Sequence, residues 1–366
     1  MKKLGFGLMR LPMLGDAIDL EAVKKMVDRF IEKGFTYFDT ALMYCGEQSE
    51  SACKEVLTSR YPRNAYQLTT KLHAEYIQSR DDCNRVFNEQ RERTGVEYFD
   101  YYLLHDVNAL TLPVYENLDC FQWIAEKKAQ GLVKHMGFSF HDSAELLDKV
   151  LTEHPEFEFV QLQINYLDWD SIGIQSRKCY ETAVKHGKRV FVMEPVKGGT
   201  LAKLPQKVES AMKAMHPDWS IASWAIRFAA GLENVDMVLS GMSNMEQLMD
   251  NTSFMKDPAP FTAEESALVR QAVDAINESI AIPCTGCAYC AEGCPQKINI
   301  PRAFSLYNVD MQECEKDWTP QSAYYDNMTA TGGKASDCIG CGHCEQMCPQ
   351  HLDIMEYLKQ VAKHFE

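Results

Sequence analysis

No stretch of this chain approaches the roughly 18 consecutive apolar residues that a membrane helix needs. The sequence therefore offers no span. Basic charge is scarce as well: 37 Lys and Arg face 52 Asp and Glu, a net charge of −15 over 366 residues. That balance argues against a nucleic-acid or anionic-membrane partner, and it is compatible with docking a basic redox protein. The opening MKKLGFGLMRLP sets two lysines before apolar residues, as an export signal would. Arg10 and Pro12 interrupt it, and no small-residue cleavage site follows, so a cytoplasmic chain is expected. A glycine-rich GxGxxG turn after the first strand is also missing, which counts against an open doubly wound sheet. Cysteine is plentiful: 14 residues, which in an unexported chain implies reduced thiols or metal ligation.

Eight of those cysteines form one pattern written twice. Cys284, Cys287, Cys290 and Cys294 are followed by Pro295; Cys338, Cys341, Cys344 and Cys348 are followed by Pro349. Three cysteines two residues apart let one loop wrap three corners of a [4Fe–4S] cubane, and the fourth ligates the other cluster. The expected sets are Cys284, Cys287, Cys290 with Cys348, and Cys338, Cys341, Cys344 with Cys294. Zinc is the alternative, but its sites usually set two CxxC pairs well apart. The tails CPQKINI and CPQHLDI extend the repeat. The other six, Cys45, Cys53, Cys83, Cys120, Cys179 and Cys314, are expected mostly as small buried hydrophobes.

From residue 1 to about 255, short apolar runs alternate with amphipathic ones. The strands expected are Gly5–Met9, Thr36–Asp39, Gln67–Lys71, Tyr101–His105, His135–Ser139, Phe159–Gln163, Val190–Glu194 and Met237–Gly241. Helical patterns follow each, the first capped by Asp19 and closed by Gly34. Eight continuous apolar strands, each with a covering helix, predict an α/β protein of TIM-barrel type, a closed (β/α)8 barrel. Asp257–Pro260 reads as a stiff linker, and Thr262 with Glu265 as a capping box. The expected division is barrel 1–256, linker and docking helix 257–280, and a ferredoxin-like module with two [4Fe–4S] clusters 281–366. Residues 329–334 read as an exposed loop, and Ile354–Phe365 as a closing helix.

Barrel active sites lie at the C-terminal ends of the strands. Asp39, with Tyr44 close behind, Lys71 and His105 end three consecutive strands there. Those residue types make a workable acid for carbonyl reduction. Lys71 is expected to lower the Tyr44 pKa, Asp39 to pair with Lys71, and His105 to orient the carbonyl and share the proton load. Taken singly, Asp39 could cap a helix and the other three could be rim residues.

The phrase Asp39-Thr40-Ala41-Leu42-Met43-Tyr44 resembles the DTAxxY phrase of the aldo-keto reductases, whose catalytic tetrad is Asp, Tyr, Lys and His in this order. The tail, with the opening GFGLMRLP, resembles the branch carrying a C-terminal dicluster ferredoxin domain. The resemblance implies a nicotinamide cofactor, NADP(H) or NAD(H), extended across the barrel mouth. It places Ser139 and Gln163 on the carboxamide. Gly241, Ser243, Gln247 and Asn251 fall in the segment that grips the adenosine end. Met193 stands where many members stack a tyrosine on the ring, Phe140 where many have Asn, and Gln247 where some use Arg on the 2′-phosphate.

Hydride carries two electrons and a [4Fe–4S] cluster one. A flavin could split the pair, and a barrel mouth can hold FMN without a sequence signature. The expected activity is therefore iron–sulfur oxidoreduction of a small carbonyl-type substrate, with an external carrier such as ferredoxin or flavodoxin as partner. The alternatives are an ordinary NAD(P)H carbonyl reductase with structural or redox-sensing clusters, and an electron-transfer module with a non-catalytic barrel. Tyr166 and Trp169 could stack on an aromatic substrate or simply pack.

Overall fold

The computed structural model describes residues 2–278, 280–312 and 319–366. Eight parallel strands close into a barrel. They are β1 (Leu4–Gly7), β2 (Tyr37–Asp39), β3 (Gln67–His73), β4 (Phe99–Val107), β5 (Val133–Phe140), β6 (Phe159–Gln163), β7 (Arg189–Met193) and β8 (Val235–Ser240). Closure falls at β1, whose Gly5 pairs with both Tyr37 and Leu239. A Cβ at Gly5 would lie 2.7 Å from Leu239 and 2.8 Å from Tyr37, so the seam requires glycine there.

The covering helices are α1 (Leu20–Glu32), α2 (Ser49–Cys53, continued by a wider turn through Thr58), α3 (Arg80–Thr94), α4 (Cys120–Ala129), α5 (Ala144–Glu153), α6 (Ser176–Lys185), α7 (Ile221–Ala230) and α8 (Met245–Phe254). Their ends follow the side chains. Asp19 accepts from the Ala22 amide, Ser79 and Asp82 form a capping box, and Gly34 takes a left-handed φ of +79° just past α1. Apolar stripes such as Val23, Met26, Val27 and Phe30 are buried against the sheet.

The first strand is shorter than expected: Leu8 and Met9 turn away at the mouth. The sequence reading also missed a two-stranded hairpin (Met13–Leu14 with Ala17–Ile18) and helices Leu112–Asn117 and Gln206–Met215. All lie in loops at the ends of strands. Helix α9 (Ala263–Asn277), capped by Thr262 and Glu265, packs Leu268, Val269 and Ala272 against Met212 and Trp224.

Side chains alternate across each strand. Tyr37, Tyr101, Leu103, Phe159, Phe191, Met237 and Leu239 fill the barrel interior as one cluster. Phe159 stacks on Phe191 at 4.4 Å between centroids. This fixes which side chains point inward at the C-terminal end: those two or four positions further along, with Lys71 in register with Leu103 and Ser139 in register with Gln161. They are Asp39, Lys71, His105, Ser139, Gln161, Gln163 and Met193.

The C-terminal segment is a small helical module repeating with the same backbone. Gly286 and Gly340, Ala288 and Gly342, and Lys297 and His351 all take left-handed φ between 52° and 74°, each pair 54 positions apart. Helices α10 (Ile300–Met311) and α12 (Ile354–Phe365) leave the two cysteine runs at matching positions. Between them α11 (Pro320–Thr331) corrects the loop reading: 329–331 close a helix that buries Tyr324, Tyr325 and Met328. Gly333 then bridges in parallel to Ile298.

This module rests on the barrel's C-terminal face, on the loops after β5 and β6. Arg302 is buried with Nη2 3.5 Å from Asp142 Oδ1, and its Nε donates to the Gly173 carbonyl. Ser305 accepts from the Gly173 amide, and Asn327 donates to the His141 carbonyl at 3.1 Å. The Cys284 loop abuts the same loop, since a Cβ on Gly286 would meet Ile172 at 2.0 Å. No helix among the described residues is long and apolar enough to cross a membrane.

Candidate active site and thiol-lined cavities

The ends of β2, β3 and β4 bring three of the four expected side chains inward, and the turn after β2 returns Tyr44 to them. Lys71 Nζ donates to Asp39 Oδ1 at 2.6 Å, to the Thr40 carbonyl at 2.9 Å and to Tyr44 Oη at 3.1 Å. All three ammonium protons are thereby used, and the Tyr44 hydroxyl keeps its own proton to donate elsewhere. The ammonium also lies 4.6 Å from the Tyr44 ring centroid. His105 stands edge-on to that ring at 6.0 Å. Asp39, Lys71 and His105 are buried.

Two electrostatic expectations need correction. Burial raises the Tyr44 phenol above its ordinary value; Lys71 pulls it back only in part, and Asp39 pushes it further up. The phenol is thus held protonated instead of being eased toward phenolate. His105 is held well below the usual histidine range by burial, then by Lys71, His73 and His141. It is a neutral imidazole near pH 7, able to orient an oxygen but not to share the proton load as an imidazolium.

The Asp39–Lys71 pair shifts in two directions. Burial pushes the Asp39 carboxyl up against the pull of Lys71. Burial alone would lower Lys71, but the charges of Asp39 and Tyr44 and hydrogen bonds to both carry it above its usual value. The 2.6 Å contact decides for the ion pair, with the ammonium kept charged.

Sequence reasoning missed several neighbours. His73 lies opposite His105 in register, its ring 5.4 Å away, and His73 Nε2 is 3.8 Å from Asp106. Burial would raise Asp106, yet bonds and charge from His73, His141 and Asn108 hold it low. Burial lowers His141, whose ring meets Tyr324 of the C-terminal module at 5.8 Å. None of these three falls in a motif, so nothing in the sequence marked them. Gln161 could have been found, two positions before Gln163 on the same face of β6. Glu50 sits behind Lys71, fully buried, accepting from Thr70 at 2.6 Å; burial pushes its carboxyl up to about 7.

The residues aligned with a nicotinamide divide into two groups. Ser139, Gln163 and Met193 point into the mouth. Ser139 Oγ accepts from the Asp106 amide at 2.7 Å, and Gln161 Nε2 lies 3.6 Å from Met193 Sδ. The carbonyl oxygens of Gln161 and Gln163 are buried with no hydrogen-bond partner. Gly241, Ser243 and Gln247 lie outside the barrel at the start of α8, with Ser243 N donating to Gln247 Oε1 and Ser243 Oγ to the Arg10 carbonyl. Asn251 is buried and donates to Ser240 Oγ at 2.8 Å, so its amide N–H faces inward. Tyr166 and Trp169 pack against Phe228.

Two small cavities lie in the C-terminal module. The first is lined by Cys284, Cys287, Cys290 and Cys348, the second by Cys294, Cys338, Cys341 and Cys344. Each therefore takes three thiols from one run and the fourth from the other. Among the described residues no three His, Cys, Asp or Glu side chains gather tightly enough to hold a single metal ion; the thiols surround a volume instead. Of the remaining cysteines, Cys53, Cys83, Cys120 and Cys179 are buried and Cys45 is half-buried. Cys314 lies outside the described residues.

A parallel barrel with a buried, hydrogen-bonded Asp–Lys–Tyr group at its C-terminal rim, joined to a module with two thiol-lined cavities, has the architecture of an oxidoreductase. Residues 3–274 match the model of the aldo/keto reductase family, and residues 283–353 match the 4Fe-4S dicluster domain. The chain belongs to the aldo/keto reductase family. It is 26% identical over 262 residues to an uncharacterized oxidoreductase of Schizosaccharomyces pombe, covering 68% of this chain and 80% of that one. It is 27% identical over 241 residues to an aldo-keto reductase of Mycolicibacterium vanbaalenii, covering 65% and 79%. The fold is similar to an aldo-keto reductase of Bacillus halodurans in its holo form, with TM-score 0.60 and 22% identity over 74% of this chain and 91% of that one. It is also similar to one of Klebsiella pneumoniae in complex with NADPH, with TM-score 0.57 and 18% identity over 74% and 91%.

Proposed function

We propose that the barrel reduces a carbonyl group of a small organic substrate, and that Tyr44 is the proton donor. The observation that carries this is the single ammonium bridging Asp39 Oδ1 at 2.6 Å and Tyr44 Oη at 3.1 Å. Lys71 orients the phenol and stabilises the oxygen as its proton leaves. Asp39 keeps Lys71 charged. Neutral His105 donates a hydrogen bond that positions the carbonyl. A nicotinamide cofactor would supply hydride to the carbonyl carbon. Its ring would lie beside Ser139, Gln163 and Met193, near two buried amide oxygens that have no protein partner, and its adenosine end along Gly241, Ser243, Gln247 and Asn251. NADPH is the form bound by the similar Klebsiella protein, and it is the donor we infer.

The C-terminal module holds, on this reading, two [4Fe–4S] clusters in the crossed thiol sets. Thiols spread around a cavity suit a cubane, in which each iron takes one thiolate, better than one zinc ion at a common centre. NADPH already brings both electrons that the carbonyl takes up, so the clusters would exchange single electrons with an external carrier only by way of a flavin that pairs or splits them. The packing of the Cys284 loop onto the loop after β6 favours relay over a purely structural role. Tyr44→Phe tests the catalytic assignment. Anaerobic NADPH oxidation with a panel of carbonyl compounds should fall by about 10²–10⁴, with iron and sulfide content unchanged. Activity retained by that variant would remove Tyr44 from the chemistry. A cluster EPR signal indifferent to NADPH, substrate and flavin alike would favour structural clusters.

A further inference from the structure

We propose that Asp168 and Lys197 are positioning residues that lock the Gln163 amide, so that its oxygen presents an acceptor to the primary carboxamide of a nicotinamide ring. This rests on the reading that a nicotinamide binds at the mouth. Gln163 ends β6 with its side chain directed into the barrel. Its Nε2 donates to Asp168 Oδ2 at 3.1 Å. A carboxylate can only accept, so the amide nitrogen must face Asp168 and the oxygen must face away. That oxygen is buried and has no partner within the protein, an arrangement that suits a ligand bearing an N–H donor.

Asp168 is itself fixed from several sides. Lys197 Nζ lies 2.9 and 3.2 Å from its two carboxylate oxygens, and neither side chain is exposed. Asn165 Nδ2 donates to Asp168 Oδ2 at 2.8 Å, while Asn165 Oδ1 accepts from the Asp168 backbone amide at 2.8 Å. Lys197 enters from the loop after β7 with a left-handed φ of +52°, a conformation that non-glycine residues adopt uncommonly. A buried cation, a buried anion and a strained backbone thus converge on the orientation of one amide. Neither side chain is exposed at the mouth; they act through Gln163.

The test is binding, measured by calorimetry on the anaerobic full-length holoprotein. The two ligands are NADP⁺ and its 3-acetylpyridine analogue, in which a methyl group replaces the carboxamide NH₂. The native protein should prefer NADP⁺ by about tenfold, the worth of one hydrogen bond. Asp168→Asn lets the Gln163 amide turn over, and the preference should fall to about one. The double variant Asp168→Asn/Lys197→Met removes both buried charges together and answers the same question if the single variant misfolds. Gln163→Leu should also abolish the preference. A tenfold preference that survives in the Asp168 variants overturns this inference and leaves the cofactor reading standing. Failure of the native protein to bind either ligand overturns both.

Discussion

Replacing Lys71 by Met leaves the Asp39 carboxylate buried without its cation. The side chains are 0% and 3% exposed, and they meet at 2.6 Å. Removing one partner of a buried pair typically costs about 3–5 kcal/mol, because the remaining charge is uncompensated. Asp39 Oδ2 has no hydrogen-bond partner even in the native protein, so little else can absorb the charge. The double variant Lys71→Met/Asp39→Asn removes both charges and should recover about half of the loss. The penalty should also depend on pH. In Lys71→Met the folded-state pKa of Asp39 is raised by burial alone. The deficit should therefore be small below the unfolded value near 3.8 and grow as pH rises through the folded value. Anaerobic urea unfolding, followed by far-UV circular dichroism at several pH values, measures all three species. A double variant no more stable than Lys71→Met, or a Lys71→Met cost under about 1 kcal/mol at pH 8, would refute the buried-pair account.

Cys294→Ala should damage the cluster shared with Cys338, Cys341 and Cys344 and spare the other, because it removes a thiol from the second cavity. Quantitative EPR after anaerobic reconstitution reads this, and selective loss of the other cluster would reverse the ligand sets. Glu50→Gln should alter the pH profile of stability. Burial raises the Glu50 carboxyl to about 7, above its unfolded value near 4.5, so its contribution is full below about 4.5 and is lost as pH rises through 7. The raised pKa corresponds to about 3 kcal/mol. Thermal melts at pH 5 and pH 8 should differ less in the variant than in the native protein; an unchanged difference would mean that Glu50 is already ionised at neutral pH.

The convergence of Asp39, Lys71, Tyr44 and His105 was legible because alternation leaves little freedom. Once Tyr37, Tyr101 and Phe159 are assigned to the interior, Asp39, His105 and Gln163 must share that face, and their position at the ends of apolar runs puts them at one rim. The cysteine sets were legible for a similar reason, since spacing along a tight loop limits which thiols can meet. The charge states were not legible. A sequence shows that Lys71 can stand near Tyr44, but whether attraction or burial wins depends on how much water is excluded, and here burial wins for Tyr44 and His105. The Asp168–Lys197 pair was invisible for a different reason. Lys197 reaches Asp168 through a left-handed backbone in a loop, and neither propensity nor periodicity encodes that turn. Residues 329–331 were misread because Gly332 and Gly333 dominated the pattern, while the buried Tyr324, Tyr325 and Met328 that hold the helix lie upstream.

The joining of the two modules constrains what the clusters can do. A barrel exposes its chemistry only at the C-terminal ends of its strands, so a redox module attached elsewhere would be separated from it by the whole packed interior. Here the module meets the loops after β5 and β6. Arg302 is buried against Asp142, and the Tyr324 ring lies against His141, whose neighbours include Asp106 at the mouth. The Cys284 loop lies against Ile172. If the clusters pass electrons to the barrel, the thiol set of Cys284, Cys287, Cys290 and Cys348 is the one whose loop is brought against the barrel face.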